Sequence, residues 1–261
     1  ASPSTSPPPA APGRPAALPV RRLNRVELAA AVQGAFGVFP RASAIPTDAL
    51  SGRFDRDGRH FDVDATVAAS YLDVAVETAR AVKPATVAGC GAAVTRACVR
   101  SYLEAKLSVL LRRPTVAADV ESYLTTFDRG AARAGADEGF REIVARVVLS
   151  PDFLYVLEPA NGTGDEAPLT PHALATRLAL ALWRAPPDAA LFAKAVGGAA
   201  HDDLVATVLG DPRAAAGLRA FHAQWLDLAA ARKADLRTGA TKGLGAAREQ
   251  SLHKWVERAY A

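Results

Sequence analysis

The chain has 261 residues, of which 50% are hydrophobic and 7% aromatic, and it carries 31 basic and 27 acidic residues. This length is sufficient to bury a core without metals or many disulfides. No apolar stretch reaches the roughly 20 residues that a membrane-spanning helix needs, so at most a peripheral contact with a membrane is expected. Few segments alternate with period two and helix-forming Ala, Leu and Arg abound, so an all-α fold is predicted.

The first twenty residues differ in composition from the rest of the chain. Seven of the eighteen prolines fall in positions 1–19, and the chain contains no Met. A Pro-rich stretch of this kind is typical of an extended spacer, so residues 1–20 are predicted to be a tether. The missing initiator Met fits removal of a signal peptide, which predicts an exported protein.

Helical patterns then follow in series. Asn24 and Glu27 have the spacing of a capping box, for a helix that ends at Gly37. Asp64 is predicted to cap a helix to about Val82, and Thr95 a helix that ends at Arg113-Pro114. A further helix is expected from Thr115 to about Asp128. The next helix carries a core-facing stripe of five apolar residues: Phe140, Ile143, Val144, Val147 and Val148.

Three pairs of a polar residue and proline recur at predicted helix starts: Ser150-Pro151, Thr170-Pro171 and Asp211-Pro212. Proline fits the first helical turn, and a preceding Ser, Thr or Asp can cap the exposed N–H groups. Two shorter helices are expected near 188–196 and 201–209. The predicted core-facing residues of the helices after Thr170 and Asp211 are Leu174, Leu178, Leu182, Leu218, Phe221, Trp225 and Leu228.

The stretch NGTGDEAP, residues 161–168, is the best internal linker. The sequence therefore predicts two consecutive helical bundles joined by a short loop, with boundaries at 21–160 and 161–261.

Two sets of polar residues were weighed as ligand sites. Asp55, Asp57, Asp62 and Asp64 suggest calcium, but the twelve-residue loop that starts at Asp55 lacks the required Gly and Glu, so turn formation and capping are favoured. The five histidines show no metal spacing. His222, beside a tryptophan in FHAQWLDL, is the least easily dismissed, but packing is the favoured role. No nucleotide-binding or nucleophile motif occurs, so neither a catalytic residue nor a cofactor is predicted.

Six ordered motifs resemble one family: RRLNRVE, FD with a helix ending VETARAV, a cysteine pair leading into LRRPTVAADVESY, VVLSPDFLYVLE, LTPHALATRLALALWRAPPDAALFAKA and LGDPRAAAGLRAFHAQWLDL. The resemblance, which spans residues 21 to about 260, is to secreted planctomycete and myxobacterial proteins built from three domains of unknown function, numbered fifteen-eighty-seven, fifteen-ninety-five and fifteen-ninety-two. It implies an exported helical protein whose relatives often accompany c-type cytochrome modules. This chain lacks the haem-attachment motif CxxCH and stops inside the third group, before the usual C-terminal domains.

The family resemblance includes a cysteine pair at Cys90 and Cys98. An even count in an exported protein suggests a disulfide, although one continuous helix would hold the two residues about 12 Å apart. If Thr95 begins the helix, Cys90 lies in the preceding loop and can fold back. A disulfide is therefore expected, with two free buried thiols or a metal site as the alternatives.

The net charge of +4 equals the excess in residues 231–261, which hold seven basic and three acidic residues. Aromatic residues do not interleave with these charges as in a nucleic-acid platform, so nucleic acid is not an expected partner. Tryptophan and arginine are enriched at binding hot spots. The terminal helix, 244–260, is therefore a candidate docking element, with packing on the second bundle as the alternative. Its predicted contacts are Leu252, Trp255 and Val256, with Arg248, Lys254 and Arg258 at the rim.

The function favoured by the sequence is a non-catalytic binding or scaffold subunit of a larger complex, located in the periplasm or outer cell envelope. Its expected partner is a protein of that complex, either membrane-embedded or cytochrome-containing. The alternative is an enzyme of a secreted redox or polysaccharide-degrading system that works with a c-type cytochrome. A cleft around His222 and Asp227 would favour the enzyme, and a flat apolar patch would favour the scaffold.

Overall fold

A computed structural model of the chain describes residues 20–48, 54–55, 63–157 and 169–228, with six isolated helical positions between 247 and 258. The described residues between 20 and 228 form eleven helices and a sheet of two short strands, which confirms the all-α prediction. The elements in order are β1 (Arg21–Arg22), α1 (Arg25–Phe36), α2 (Ala65–Ala81), α3 (Pro84–Ala88), α4 (Arg96–Leu110), α5 (Ala117–Ala134), α6 (Ala136–Val148), α7 (Pro151–Leu154), β2 (Tyr155–Val156), α8 (Pro171–Leu182), α9 (Ala189–Val196), α10 (His201–Leu209) and α11 (Arg213–Trp225).

Local chemistry sets several of these boundaries. Asn24 and Glu27 form the predicted capping box of α1, and Gly37 ends that helix in the left-handed region at φ 71°. The side chains of Asp64 and Thr95 accept hydrogen bonds from the N–H groups of Val67 and Cys98, so the predicted starts of α2 and α4 are confirmed.

The first hydrophobic core joins α1 to α7, and the predicted stripe of α6 is fully buried in it. Helix α5 runs six residues beyond its predicted end near Asp128. Gly130, within this added length, lies at a close helix crossing, because a Cβ there would lie 2.8 Å from the Cα of Gly139. Glycine at position 130 therefore serves helix contact and does not end the helix.

A second core joins α8, α9, α10 and the start of α11. Leu174, Leu178 and Leu182 pack against this core, as predicted, although all three are only half-buried. The most buried positions of α8 in this core carry the small side chains of Ala175 and Ala179, which let the neighbouring helices approach closely. Leu180 packs in the first core. The division of the chain into domains at 160/161 stays a prediction. The linker 161–168 and all of the predicted tether 1–20 except Val20 lie outside the described residues.

The polar-proline pairs place their prolines as predicted, but two of the three preceding polar side chains do not cap a helix. Pro151 and Pro171 occupy the first turns of α7 and α8, as expected. The side chains of Ser150 and Thr170 form no capping hydrogen bond, and the Thr170 hydroxyl instead lies 3.2 Å from Nε2 of His172. A Thr170→Ala change is therefore not expected to remove a cap.

The third pair, Asp211-Pro212, is closer to the expectation. Pro212 has helical dihedral angles just before the first residue of α11, and Oδ1 of Asp211 accepts from the N–H of Arg213 at 2.8 Å. The aspartate thus caps the helix, and the boundary differs from the prediction by one residue.

Three of the sequence motifs meet at one junction that the sequence did not predict. β1, from RRLNRVE, pairs antiparallel with β2, from VVLSPDFLYVLE, in the register Arg21 with Val156 and Arg22 with Tyr155. The N–H of Leu23 continues the pairing by donating to the carbonyl of Leu154 at 2.7 Å. The short helix α7 therefore turns the chain so that Tyr155–Val156 can pair with β1.

The third motif, LRRP, closes the junction from the end of α4. Arg113 donates from Nε to the carboxylate of Asp152 at 3.1 Å. The buried guanidinium of Arg112 donates to the carbonyls of Asp152 and Tyr155, the latter at 2.8 Å. Arg21 donates to both carboxylate oxygens of the fully buried Glu27, at 2.6 and 3.0 Å. This junction is a structural centre, because every named charge has a protein partner.

The predicted disulfide is present. Cys90 and Cys98 are bonded, with their Cα atoms 5.6 Å apart, and Cys98 lies in the first turn of α4 while Cys90 lies in the loop after α3. The pairing ties the loop to the helix start, as the fold-back prediction required.

Replacing both cysteines by serine is expected to lower the free energy of unfolding by about 2.6 kcal/mol, because a closed loop of nine residues restricts the unfolded chain. Urea unfolding of the native and double-serine proteins measures the difference. Reductant should destabilise only the native protein. Equal stability with and without reductant would show that the bond contributes nothing.

Candidate partner-binding surface

Helix α11 carries an apolar stripe with residues at 214, 217, 221 and 225, which share one helical face. The first half of the stripe is buried, because Ala214 and Gly217 lie against α8. The second half is exposed, since Phe221 and Trp225 are 49% and 55% accessible. The sequence assigned both aromatic residues to a core-facing stripe, and that prediction is wrong for them. Leu228 is buried, as predicted, and Leu218 is half-buried.

Phe221 is the centre of a group of rings that we call the aromatic surface: Phe54, Phe221, His222 and Trp225. Phe221 stacks on Phe54 at 5.9 Å between ring centroids and on Trp225 at 6.3 Å, with interplanar angles of 21° and 22°. His222 meets Phe221 and Trp225 edge-on at 5.3 and 6.0 Å. Offset and edge-to-face contacts of this kind hold aromatic rings in place.

The loop residue Phe54 reaches this surface because its neighbour is fixed to the second core. The N–H of Asp55 donates to Oε1 of Gln224 on α11 at 3.2 Å. The carboxylate of Asp55 accepts from Arg184, which follows α8 in the left-handed region at φ 56°. Asp55 therefore anchors the loop to the second core. Its carboxylate is one of the four that the calcium alternative would need, and it is paired with an arginine. Asp64 caps α2, and Asp57 and Asp62 lie outside the described residues.

A groove of about 490 Å³ runs beside the aromatic surface between α8 and α11. Its walls are mainly apolar and include Leu182, Leu218, Phe221 and Phe54. His222 and Asp227, around which the enzyme alternative expected a cleft, do not line it. Nδ1 of His222 lies 2.8 Å from the carbonyl of Leu218, a contact within the helix that fixes the ring.

The residues predicted for docking on the terminal helix are only partly described. Trp255 is 58% exposed and helical, and Lys254 and Arg258 are also exposed. Arg248, Leu252 and Val256 lie outside the described residues. The docking role of these six residues stays a prediction.

The sequence analysis did not identify Phe54 as part of a surface site, and it predicted that Phe221 faces the core although the side chain is exposed. A signal was present in the spacing, because Phe221 and Trp225 stand four residues apart with His222 between them. Periodicity alone could not show that α8 ends before the stripe does.

A metal site needs a group of acidic, histidine or cysteine side chains, and a membrane span needs a long apolar helix. No three His, Cys, Asp or Glu side chains within them are grouped as a metal site. None of the helices among these residues combines the length and apolar character of a membrane span.

The fold and the surface define a helical protein with a disulfide and an exposed aromatic group. Comparison with protein families identifies its parts. Residues 21–83 match a protein of unknown function (DUF1587), residues 98–158 another (DUF1595) and residues 169–258 a third (DUF1592). The chain therefore carries, in the same order, the three domains of unknown function that its motifs predicted. Searches of curated proteins and of solved structures find no match.

Proposed function

We propose that the chain is a non-catalytic binding or scaffold subunit of a larger complex, exported to the periplasm or outer cell envelope, and that a protein partner docks on the aromatic surface. The supporting observation is the exposed pair Phe221 and Trp225, held in a fixed stack with Phe54. Large exposed aromatic groups beside an apolar groove are characteristic of protein interaction sites, and tryptophan is enriched among their hot spots.

The disulfide supports the location in this proposal. A Cys90–Cys98 bond persists in oxidising compartments such as the periplasm and is rare in the cytosol. The partner expected from the family resemblance is a membrane-embedded or cytochrome-containing subunit of an envelope complex.

Changing both Phe221 and Trp225 to serine is expected to abolish recovery of the partner with the tagged full chain. Loss of a hot spot weakens binding by at least about 2 kcal/mol, or about 30-fold in Kd. The partner is first identified from the native envelope by crosslinking and then purified, so that Kd is measured directly by calorimetry.

Phe39→Ser is the matched control, because Phe39 is 77% exposed, follows α1 and takes no part in the ring contacts or the groove of the aromatic surface. It should bind the partner as the native chain does. Equal binding by the double variant would contradict the proposal. A polysaccharide that binds the native chain but not the double variant would favour the polysaccharide-degrading alternative.

Deleting residues 244–261 separates the aromatic surface from the terminal helix. Partner binding that survives this deletion places the contact on the aromatic surface alone. Loss of binding in a chain that still unfolds cooperatively adds Trp255 and its neighbours to the interface. Loss of the folded state shows that the terminal helix belongs to the core.

A further inference from the structure

A second concave feature lies between the two helical cores and shares no lining residue with the groove beside the aromatic surface. It is a cleft of about 340 Å³, within the size range of small-molecule sites. One wall comes from α1 and α4, and the other comes from the loop 185–188 and the starts of α9 and α11. We call it the inter-core cleft.

The interior of this cleft is apolar and roomy because of small residues. Four consecutive wall positions on one side of α1 are Ala30, Ala31, Gly34 and Ala35. Opposite them, the loop contributes Ala185, Pro186 and Pro187, while Val109, Leu110 and Phe153 complete the lining. Such walls favour a hydrocarbon chain or ring over a sugar or a nucleotide, which need many polar partners.

Lys106 is the distinctive polar residue of the wall. It is exposed, and within the described residues it forms no ion pair or side-chain hydrogen bond. Tyr102, one helical turn earlier, also lines the cleft. Burial raises the pKa of its phenol, so the ring stays neutral and brings no negative charge near the ammonium.

The other charges of the cleft are already compensated. Arg213 donates to the carboxylates of Asp188 and Asp211 at 2.7 and 2.6 Å, and its guanidinium lies 3.5 Å over the ring of Trp183. Arg112 donates to two backbone carbonyls at the junction. Asp188, the carboxylate of the lining, is held by Arg213 and by the N–H of Leu191. One ammonium remains for a ligand.

From an apolar cleft of this volume, with one lining cation that has no hydrogen-bond or ion-pair partner among the described residues, we propose that the inter-core cleft binds a small amphiphilic monocarboxylate. Its hydrocarbon part occupies the space beside Ala31 and Gly34, and its carboxylate pairs with Lys106. A charge-assisted hydrogen bond to the Lys106 ammonium supplies the specificity for the anion. A dianionic phosphate is disfavoured, because it would bring one more negative charge than the free cation balances.

The test uses octanoate as the anionic probe and 1-octanol as the neutral probe, with the full chain and isothermal titration calorimetry. Octanoate should bind at one site. Lys106→Gln should weaken octanoate at least tenfold and change octanol by less than twofold. Lys83→Gln, an exposed lysine outside the cleft, should bind both probes as the native chain does.

A second variant tests the cleft itself without changing any charge, by filling the space that the probe would occupy. A Cβ at Gly34 meets nothing within 4 Å, so Gly34→Leu places a side chain at the cleft without a backbone clash. It should abolish binding of both probes while urea unfolding remains at least as stable as in the native chain. No octanoate binding to the native chain, or unchanged octanoate binding in either Gly34→Leu or Lys106→Gln, would overturn the proposal.

Discussion

Replacing Gly217 by alanine is expected to destabilise the chain by about 3 kcal/mol, the upper end of the usual overpacking range. A Cβ built on Gly217 would lie 2.6 Å from the carbonyl carbon of Leu182 and 2.9 Å from its Cα. Both are backbone atoms, so no side chain can rotate away. Helices α8 and α11 must separate to accept a single methyl group.

Gly34→Ala is the matched control for this prediction. It adds the same methyl inside a helix, where the Cβ meets nothing within 4 Å, and it should raise stability by up to about 1 kcal/mol through helix propensity. Urea unfolding followed by circular dichroism measures both variants. Equal changes in the two variants would show that α8 and α11 are not as close as the structure places them.

The Gly217 prediction also bears on the aromatic surface. Phe221 lies one turn beyond Gly217 on the same stripe, and Gln224, farther along the helix, receives the N–H of Asp55. A displaced α11 would therefore separate Phe221 from Phe54. Partner binding should fall in Gly217→Ala even though no ring is altered, whereas Gly34→Ala should bind normally.

The parts of the fold that the sequence predicted are those set by neighbours in the chain. The capping box of Asn24 and Glu27, the cap at Thr95 and the stripe from Phe140 to Val148 depend on spacing within two or three turns. The disulfide followed from the helix start at Thr95 together with the family resemblance. Each of these predictions needs no knowledge of what packs from elsewhere.

The parts that failed depend on distant residues. The pairing of Arg22 with Tyr155 joins positions far apart in the chain, and the sequence around each of them indicates a helix boundary at most. Phe221 stands on an apolar stripe, but its exposure is decided by where α8 ends. The leucines of α8 pack against the second core, but close helix packing gives its most buried positions to small side chains such as Ala175, which the sequence did not single out.

The same distinction applies to the candidate sites. Trp255 and Trp225 were both visible as tryptophans near charged residues, but Phe54 joins the aromatic surface only through the contacts of Asp55 with Arg184 and Gln224. Lys106 carried no signal in the sequence, because a lysine on an amphipathic helix is ordinarily solvated. Its proposed role arises from the small residues of α1 across the cleft.

The second large effect is expected at Arg112, where methionine should lower the free energy of unfolding by about 2–6 kcal/mol, because two buried backbone carbonyls lose the donor that pairs with them. Burial lowers the pKa of Arg112 to about 10, against the opposing effect of Glu27 and Asp152, so the side chain is charged at neutral pH. Its removal leaves the carbonyls of Asp152 and Tyr155 without this donor. Each buried unpaired carbonyl costs about 1–3 kcal/mol.

The positive φ of Arg112 allows the contribution of its side chain to be separated from that of its backbone conformation. The residue follows α4 with φ 53°, a conformation that glycine adopts more readily. Arg112→Gly should therefore regain part of the loss seen in Arg112→Met by relieving the backbone. Arg112→Lys should keep the charge but serve the two carbonyls less well, because it lacks the planar fork of arginine, and its stability should fall between those of native and Arg112→Met.

Arg100→Met is the control on the same helix, since Arg100 forms its ion pairs with Glu104 and Glu121 at the exposed surface. Surface pairs contribute about 1 kcal/mol or less, so this variant should unfold close to the native midpoint. A loss at Arg112 no larger than the loss at Arg100 would mean that the junction is held by its strand pairing alone. A large loss of stability at Arg112, with hydrogen exchange increasing first at Leu23 and Leu154, would show that the guanidinium holds β2 in position to pair with β1. The proline break at Ser150-Pro151 would then serve to present two carbonyls to one arginine.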